Sequence, residues 1–236
     1  MHAPEIVVAE RPELSDWFAA RVERAAAAAI VERGRFAFVI PGGSAAEHLL
    51  PRLARAKVDW PRTGVFYSDE RFVPRNDPDS SAAASMRLLF DGLGHHGPRV
   101  HPIVDSALDP DLTATRYAEG LVRALGPDPV ADLVLLGIGE DGHIASLFPG
   151  RAALEVDDAL VIVERDSPKP PPTRLTLSLP LLARGREIVI AAFGSGKADV
   201  LHEVVRDPAC TLPAARLLRA ATRVTFLLDP AAAARL

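Results

Sequence analysis

Four groupings of residues in this 236-residue chain have the types and spacing to do chemistry. His143 stands two residues after Asp141 in Gly137-Ile138-Gly139-Glu140-Asp141-Gly142-His143. A side chain that titrates near neutrality thus has a neighbouring carboxylate able to bias its tautomer, which suits a general base acting on water. Pro41-Gly42-Gly43-Ser44 offers glycine amides and a serine that reads as a helix N-cap, a setting that receives phosphate or carboxylate. Ser68-Asp69-Glu70-Arg71 supplies a guanidinium for charge-assisted binding of a phosphate or carbonyl, with an internal Asp69–Arg71 ion pair as the alternative. Gly194-Ser195-Gly196-Lys197 brings an ammonium to a helix start, where it either neutralises a phosphate monoester or is simply solvated.

Several better-known patterns are approached and missed. Gly137 to Gly142 satisfies G-x-G-x-x-G, yet His143 follows at once and Pro149-Gly150 closes the segment where a dinucleotide fold needs a long helix. Acidic residues that could meet a ribose exist at Asp157 and Asp158, so a nicotinamide or flavin enzyme remains a minor alternative. The Lys197 turn is no nucleotide-triphosphate loop, because Ala198 occupies the magnesium-binding Ser/Thr position. The chain contains no G-x-S-x-G and no H-E-x-x-H. The other histidines, His2, His48, His95, His96, His101 and His202, read as helix or turn residues without a catalytic setting.

The composition narrows the partner. Lys+Arg of 27 against Asp+Glu of 31 gives a net charge of -4, with no long run of either sign. Neither a nucleic-acid track nor a membrane surface is implied, and a small molecule is the natural ligand. Cys210 is the single cysteine, which excludes an internal disulfide and a multi-thiolate metal site and suits a reducing cytoplasm. The basic residues are nearly all arginine; only Lys57, Lys169 and Lys197 are lysines. The first residues lack a basic leader, and the early apolar run from Ala25 to Val31 is far shorter than the roughly 18–20 residues of a membrane span.

These groupings need elements to hold them. Leu14, Trp17, Phe18 and Val22 recur at helical spacing over Arg11 to Arg33, with Gly34 as the stop. Short apolar runs follow at Phe36–Ile40, Val65–Tyr67, Leu133–Leu136, Leu160–Val163, Ile188–Phe193 and Val224–Leu228. Helical stretches separate most of them: Ser44–Ala56, Ser81–Phe90, Leu112–Leu125 and Lys197–Val205. Continuously apolar strands alternating with helices predict an α/β, three-layer, Rossmann-like fold, its mainly parallel sheet flanked by helices on both faces. All four chemical groupings then fall just after strands, where ligands collect in open parallel sheets. The proline-rich stretch Ser167–Thr173 reads as a stiff loop rather than a linker, so residues 1–236 are expected to form one domain.

In combination the loops resemble the 6-phosphogluconolactonase family, within the superfamily that includes glucosamine-6-phosphate deaminase. The segments that carry the likeness are Phe38 to Ser44, Tyr67 to Pro74, Leu135 to Pro149 and Pro170 to Leu177, in that order. The resemblance implies hydrolysis of 6-phospho-D-glucono-1,5-lactone to 6-phosphogluconate in the oxidative pentose phosphate pathway, without metal or organic cofactor. It implies His143 as the base, with Asp141 beside it, and Gly42, Gly43, Ser44, Asp69, Arg71, Arg174 and Lys197 around the sugar phosphate. Whether Asp69 or Asp141 orients Arg71, His143 or a substrate hydroxyl is left open. A cytoplasmic monomer or small homo-oligomer is expected. Two departures stand out: Ser81 replaces the family's asparagine in Asp-Ser-Asn, and Ile144 replaces the threonine after the histidine.

Two other functions fit less well. A glucosamine-6-phosphate deaminase-like isomerase would continue with Phe-Asn-Glu-Pro, but this chain has Ser146-Leu147-Phe148-Pro149. A non-catalytic sugar-phosphate sensor of the kind found in transcription regulators would carry a DNA-binding helix-turn-helix, whereas the first 35 or so residues hold one long helix.

Overall fold

The structure is a computed structural model that describes residues 3–104 and 109–236. His2 lies outside the described residues. The chain opens with strand β1 (Glu5–Val8) and helix α1 (Arg11–Arg33), which stops at Gly34 through a Gly34 N–H to Ile30 carbonyl bond of 2.9 Å. Leu14, Phe18 and Val22 are fully buried, while Trp17 is half-buried at the edge of that face. Then follow β2 (Phe36–Ile40), α2 (Gly43–Leu49), β3 (Thr63–Tyr67), β4 (Asp69–Arg71), α3 (Ser81–Leu88), β5 (Arg99–His101) and α4 (Pro110–Leu125). The second half contains β6 (Leu133–Gly137), β7 (Val161–Glu164), β8 (Arg174–Leu177), α5 (Leu179–Ala183), β9 (Ile188–Ala192), α6 (Ala198–Arg206), α7 (Pro213–Ala220) and β10 (Val224–Leu228).

Seven strands form a parallel sheet in the order β1-β10-β9-β6-β2-β3-β5. Strands β2, β9 and β10 are buried at every position, so both faces of the sheet are covered, and α/β layering accounts for their unbroken apolar sequences. From β2 the chain proceeds outward through β3 to β5, then returns to place β6 on the other side of β2. The strand order therefore reverses between β2 and β6. Beyond the carboxyl ends of such a pair the two following loops diverge and leave a crevice.

Four readings of the sequence change. Leu160–Val163 does not join the main sheet: its strand, β7, belongs to a separate antiparallel sheet ordered β4-β8-β7. Ser68 to Arg71 is not a free loop either, since Asp69–Arg71 is strand β4, paired residue by residue with Thr176, Leu175 and Arg174 of β8. The helix expected over Ser44–Ala56 is α only to Leu49; with Pro51 in the next turn it tightens into a 3-10 helix, Leu50–Arg55. The proline stretch joins β7 to β8, closed by the Ser167 N–H to Pro172 carbonyl bond of 3.0 Å. His101 lies on β5, stacked on Phe66, rather than in a helix or turn. Among the described residues no helix is long and apolar enough to cross a membrane.

Candidate active site

The crevice between β2 and β6 opens into a cavity of about 230 Å³. Gly42, Gly43, Ser44, Asp69, Arg71, His143, Arg174 and Lys197 all line it, and Ser81, Ala145 and Lys169 complete much of the wall. Asp141 does not line the cavity but touches His143. Residues up to 155 positions apart along the chain thus meet because each follows, or pairs beside, the carboxyl end of a strand. A larger groove of about 890 Å³ runs between α4 and β7, but its walls are mainly aliphatic and hold no histidine or lysine.

His143 is set by its own loop. The turn closes with Gly139 N–H to the His143 carbonyl at 2.8 Å and Gly142 N–H to the Gly139 carbonyl at 3.1 Å. The imidazole folds over Gly139 so closely that a Cβ there would stand 2.0 Å from His143 Nδ1. The G-x-G-x-x-G spacing therefore makes room for a histidine rather than a dinucleotide. Asp141 Oδ1 lies 2.5 Å from His143 Nδ1, and Phe148 packs against the ring with centroids 4.6 Å apart. Burial pushes the His143 pKa below the ordinary histidine value, although Asp141 pulls the other way, and the net direction favours the neutral imidazole. Asp141 is held below the usual carboxylate range: burial would raise it, but its contacts with His143 more than reverse that.

The two aspartates divide their roles. Asp69 accepts from Ser68 Oγ at 2.9 Å and from Ser146 Oγ at 2.7 Å, so this buried carboxylate is fixed by hydroxyls and does not pair with Arg71. The Arg71 guanidinium instead donates to the Asp79 carbonyl at 2.6 Å. Between them Glu70 turns the other way. Its buried carboxylate accepts from the amides of Arg71, Ser81 and Ala82 and from Ser80 Oγ, tying β4 to the first turn of α3. Burial raises the Glu70 pKa against the pull of those amides.

Ser44 is not the N-cap of α2. That position is Gly42 and Ser44 is the second helical residue, so its hydroxyl makes no capping bond. Arg174, 5% exposed, spends its guanidinium on the proline stretch: Nε donates to the Pro171 carbonyl at 3.2 Å, and one terminal nitrogen to the Lys169 and Pro170 carbonyls at 3.1 and 3.2 Å. Its face also covers the Phe148 ring. Burial lowers the Arg174 pKa, with Asp69 opposing. Lys169 is the charged wall residue that sequence reasoning missed. The available signal was a lysine kept in an arginine-rich chain, inside a loop whose stiffness and far anchor, Arg174, were both in view.

Lys197 sits on a 3-10 turn, Ser195–Lys197, immediately ahead of α6. Asp229, at the end of β10, anchors this turn with both carboxylate oxygens on the Gly194 amide, at 2.9 and 3.0 Å, and also accepts from the Ala232 amide and Arg11. Burial would raise the Asp229 pKa, but those donors hold it below the usual range. Burial lowers the Lys197 pKa, with Glu140 opposing. Ile144, next to His143, is fully buried in the hydrophobic core and brings no hydroxyl to the site. Among the described residues, no three His, Cys, Asp or Glu side chains cluster so as to hold a metal ion.

A neutral imidazole steered by a carboxylate thus faces a small polar cavity walled by two arginines and two lysines. That arrangement can activate water next to a small anionic ester. Comparison with known proteins places the chain in a family. The family model described as glucosamine-6-phosphate isomerases/6-phosphogluconolactonase matches residues 9–226. The rat 6-phosphogluconolactonase is 37% identical, over 89% of this chain and 84% of its own. That of Streptomyces coelicolor is 34% identical, over 99% of this chain and 95% of its own. The solved structure of 6-phosphogluconolactonase from Trypanosoma brucei superposes with a TM-score of 0.85 at 30% identity, each chain covered in full.

Proposed function

We propose, since this chain belongs to the glucosamine-6-phosphate isomerase/6-phosphogluconolactonase family, that it hydrolyses 6-phospho-D-glucono-1,5-lactone to 6-phospho-D-gluconate. The observation that carries the reading is the Asp141–His143 pair at the rim of a cavity with Arg71, Arg174, Lys169 and Lys197 in its walls. Asp141 accepts a hydrogen bond from Nδ1–H, which leaves Nε2 of the neutral ring to accept a proton from water. The resulting hydroxide adds to the lactone carbonyl carbon. As the tetrahedral oxyanion collapses, the bond to the ring oxygen breaks and the imidazolium returns its proton to that oxygen. The product is an open-chain carboxylic acid that ionises at neutral pH.

Gly42, Gly43, Ser44, Arg71 and Lys197 receive the phosphoryl group. Arg174 acts through the proline loop it holds, and the cations together stabilise the developing negative charge. The ring already activates the ester, so this reading calls for no metal or organic cofactor. It includes a single domain over residues 1–236, acting in the cytoplasm within the oxidative pentose phosphate pathway. The protein works as a monomer or small homo-oligomer on a small molecule, not on nucleic acid or a membrane. The deaminase alternative is disfavoured because its acidic partner for the histidine would fall at position 148, where Phe148 packs on the ring.

The test generates 6-phosphogluconolactone in situ and follows its loss. The protein should exceed the spontaneous rate, and His143→Ala should abolish most of the excess. A wild-type rate equal to the uncatalysed one refutes the reading.

A further inference from the structure

Ser81 opens α3 one residue after the Ser80 N-cap. Its amide is satisfied by Glu70, but its hydroxyl is buried with no hydrogen-bond partner among the described residues. The residue is 2% exposed and lines the cavity. A buried hydroxyl without a partner is costly, so such atoms in folded proteins mark a place that something else completes. Its surroundings say what. A Cβ built on Gly42 would stand 2.3 Å from Ser81 Oγ, so the hydroxyl faces the Gly42-Gly43-Ser44 turn across a gap that only glycine leaves open. Arg71 is pinned beside it through the Asp79 carbonyl, two residues before Ser81.

We propose that Ser81 is a further substrate-binding residue, its hydroxyl donating to a phosphoryl oxygen held between the Gly42–Ser44 turn and Arg71. The inference rests on the phosphate role given above to Arg71. It also gives a purpose to the serine at this position. The hydroxyl is small enough to clear Gly42, leaves Glu70 free to hold the helix start, and supplies the donor that a bound anion lacks on that side. In the unliganded protein the group is a liability, and in the complex it is satisfied. Stability and affinity should therefore respond to its removal in opposite directions.

The experiment compares Ser81→Ala, Ser81→Cys and Arg71→Ala with the parent by thermal denaturation and by steady-state kinetics on phosphorylated and unphosphorylated gluconolactone. Ser81→Ala should leave Tm unchanged or raise it by about 1–3 °C. It should raise KM for the phosphorylated lactone about 5- to 10-fold with kcat within about twofold, and leave the unphosphorylated lactone little changed. Ser81→Cys, with a weaker donor, should fall between. An unchanged KM in a folded Ser81→Ala variant overturns the proposal, as does a lowered Tm with KM unaffected, which would reveal a structural partner. An equal rise on both lactones assigns the hydroxyl to the sugar and overturns the phosphoryl contact. If Arg71→Ala fails to discriminate between the lactones, the phosphate reading itself falls; if it discriminates and Ser81→Ala does not, only this inference falls.

Discussion

Asp141 holds His143 through Nδ1, at 2.5 Å, from two residues back on the same glycine-bounded turn. The proposed general base and the carboxylate beside it therefore form one local unit, placed as a whole by the end of β6. Removing the carboxylate while keeping its shape should disturb the tautomer more than the position. Asp141→Asn should lower kcat by about 10²- to 10⁴-fold with little change in KM, the range seen when an orienting carboxylate or a general base is lost. Steady-state kinetics decides it, and a large KM effect would assign Asp141 to substrate binding.

The pH profile follows from the same pair. Burial sets the His143 pKa below the ordinary value of 6.5, so kcat/KM should be level at neutral pH and fall only as acid protonates the ring. Asp141 works against that depression, both as a charge and as a hydrogen-bond partner. In Asp141→Asn the acid limb should accordingly move to still lower pH even though the plateau drops. A limb above 6.5 in the parent, or an upward move in the variant, would contradict this assignment.

Phosphate recognition separates from catalysis by kinetic parameter. Lys197→Ala should raise KM for the phosphorylated lactone by about 10- to 100-fold while the unphosphorylated substrate, if turned over, is little affected. Because Asp229 fixes the Gly194 turn that presents Lys197, Asp229→Asn should produce a smaller KM rise of the same selectivity. In a Lys197→Ala background that rise should shrink to less than about twofold, and full additivity would show that Asp229 acts elsewhere.

Arg174 and Lys169 should behave as one device. Three guanidinium bonds to the carbonyls of residues 169, 170 and 171 depend on the fork geometry of arginine, which lysine cannot reproduce. Arg174→Lys should therefore raise KM about as much as Lys169→Ala despite keeping its charge, and the double variant should be no worse than either single one by more than about twofold. Independent effects that multiply would make Arg174 a direct ligand rather than the holder of the loop.

Much of the fold is legible in the sequence because β2, β6, β9 and β10 are buried on both faces and so cannot carry a charge. The illegible strands are those whose existence depends on a distant partner. Strand β4 reads Asp-Glu-Arg and β5 reads Arg-Val-His, three residues each, with no periodicity to reveal them. Pairing with β8 and β3 makes them strands. Likewise the orphan hydroxyl of Ser81 and the approach of Lys169 exist only once separate loops converge.

The sequence by itself determined the chemistry on offer: a histidine beside an aspartate, anion-binding turns after apolar strands, and a family likeness spread over four segments. It did so because glycine spacing, charge and apolar runs are local properties. Tertiary structure decided who partners whom. Asp69 and Arg71 share one face of β4 while alternation sends Glu70 to the other, yet Asp69 meets Ser146 and Arg71 meets the Asp79 carbonyl because different loops close over the two ends of this short strand. Reversal of strand order between β2 and β6 opened the crevice, and no local pattern encodes that reversal because it is a relation between strands roughly 100 residues apart in the chain.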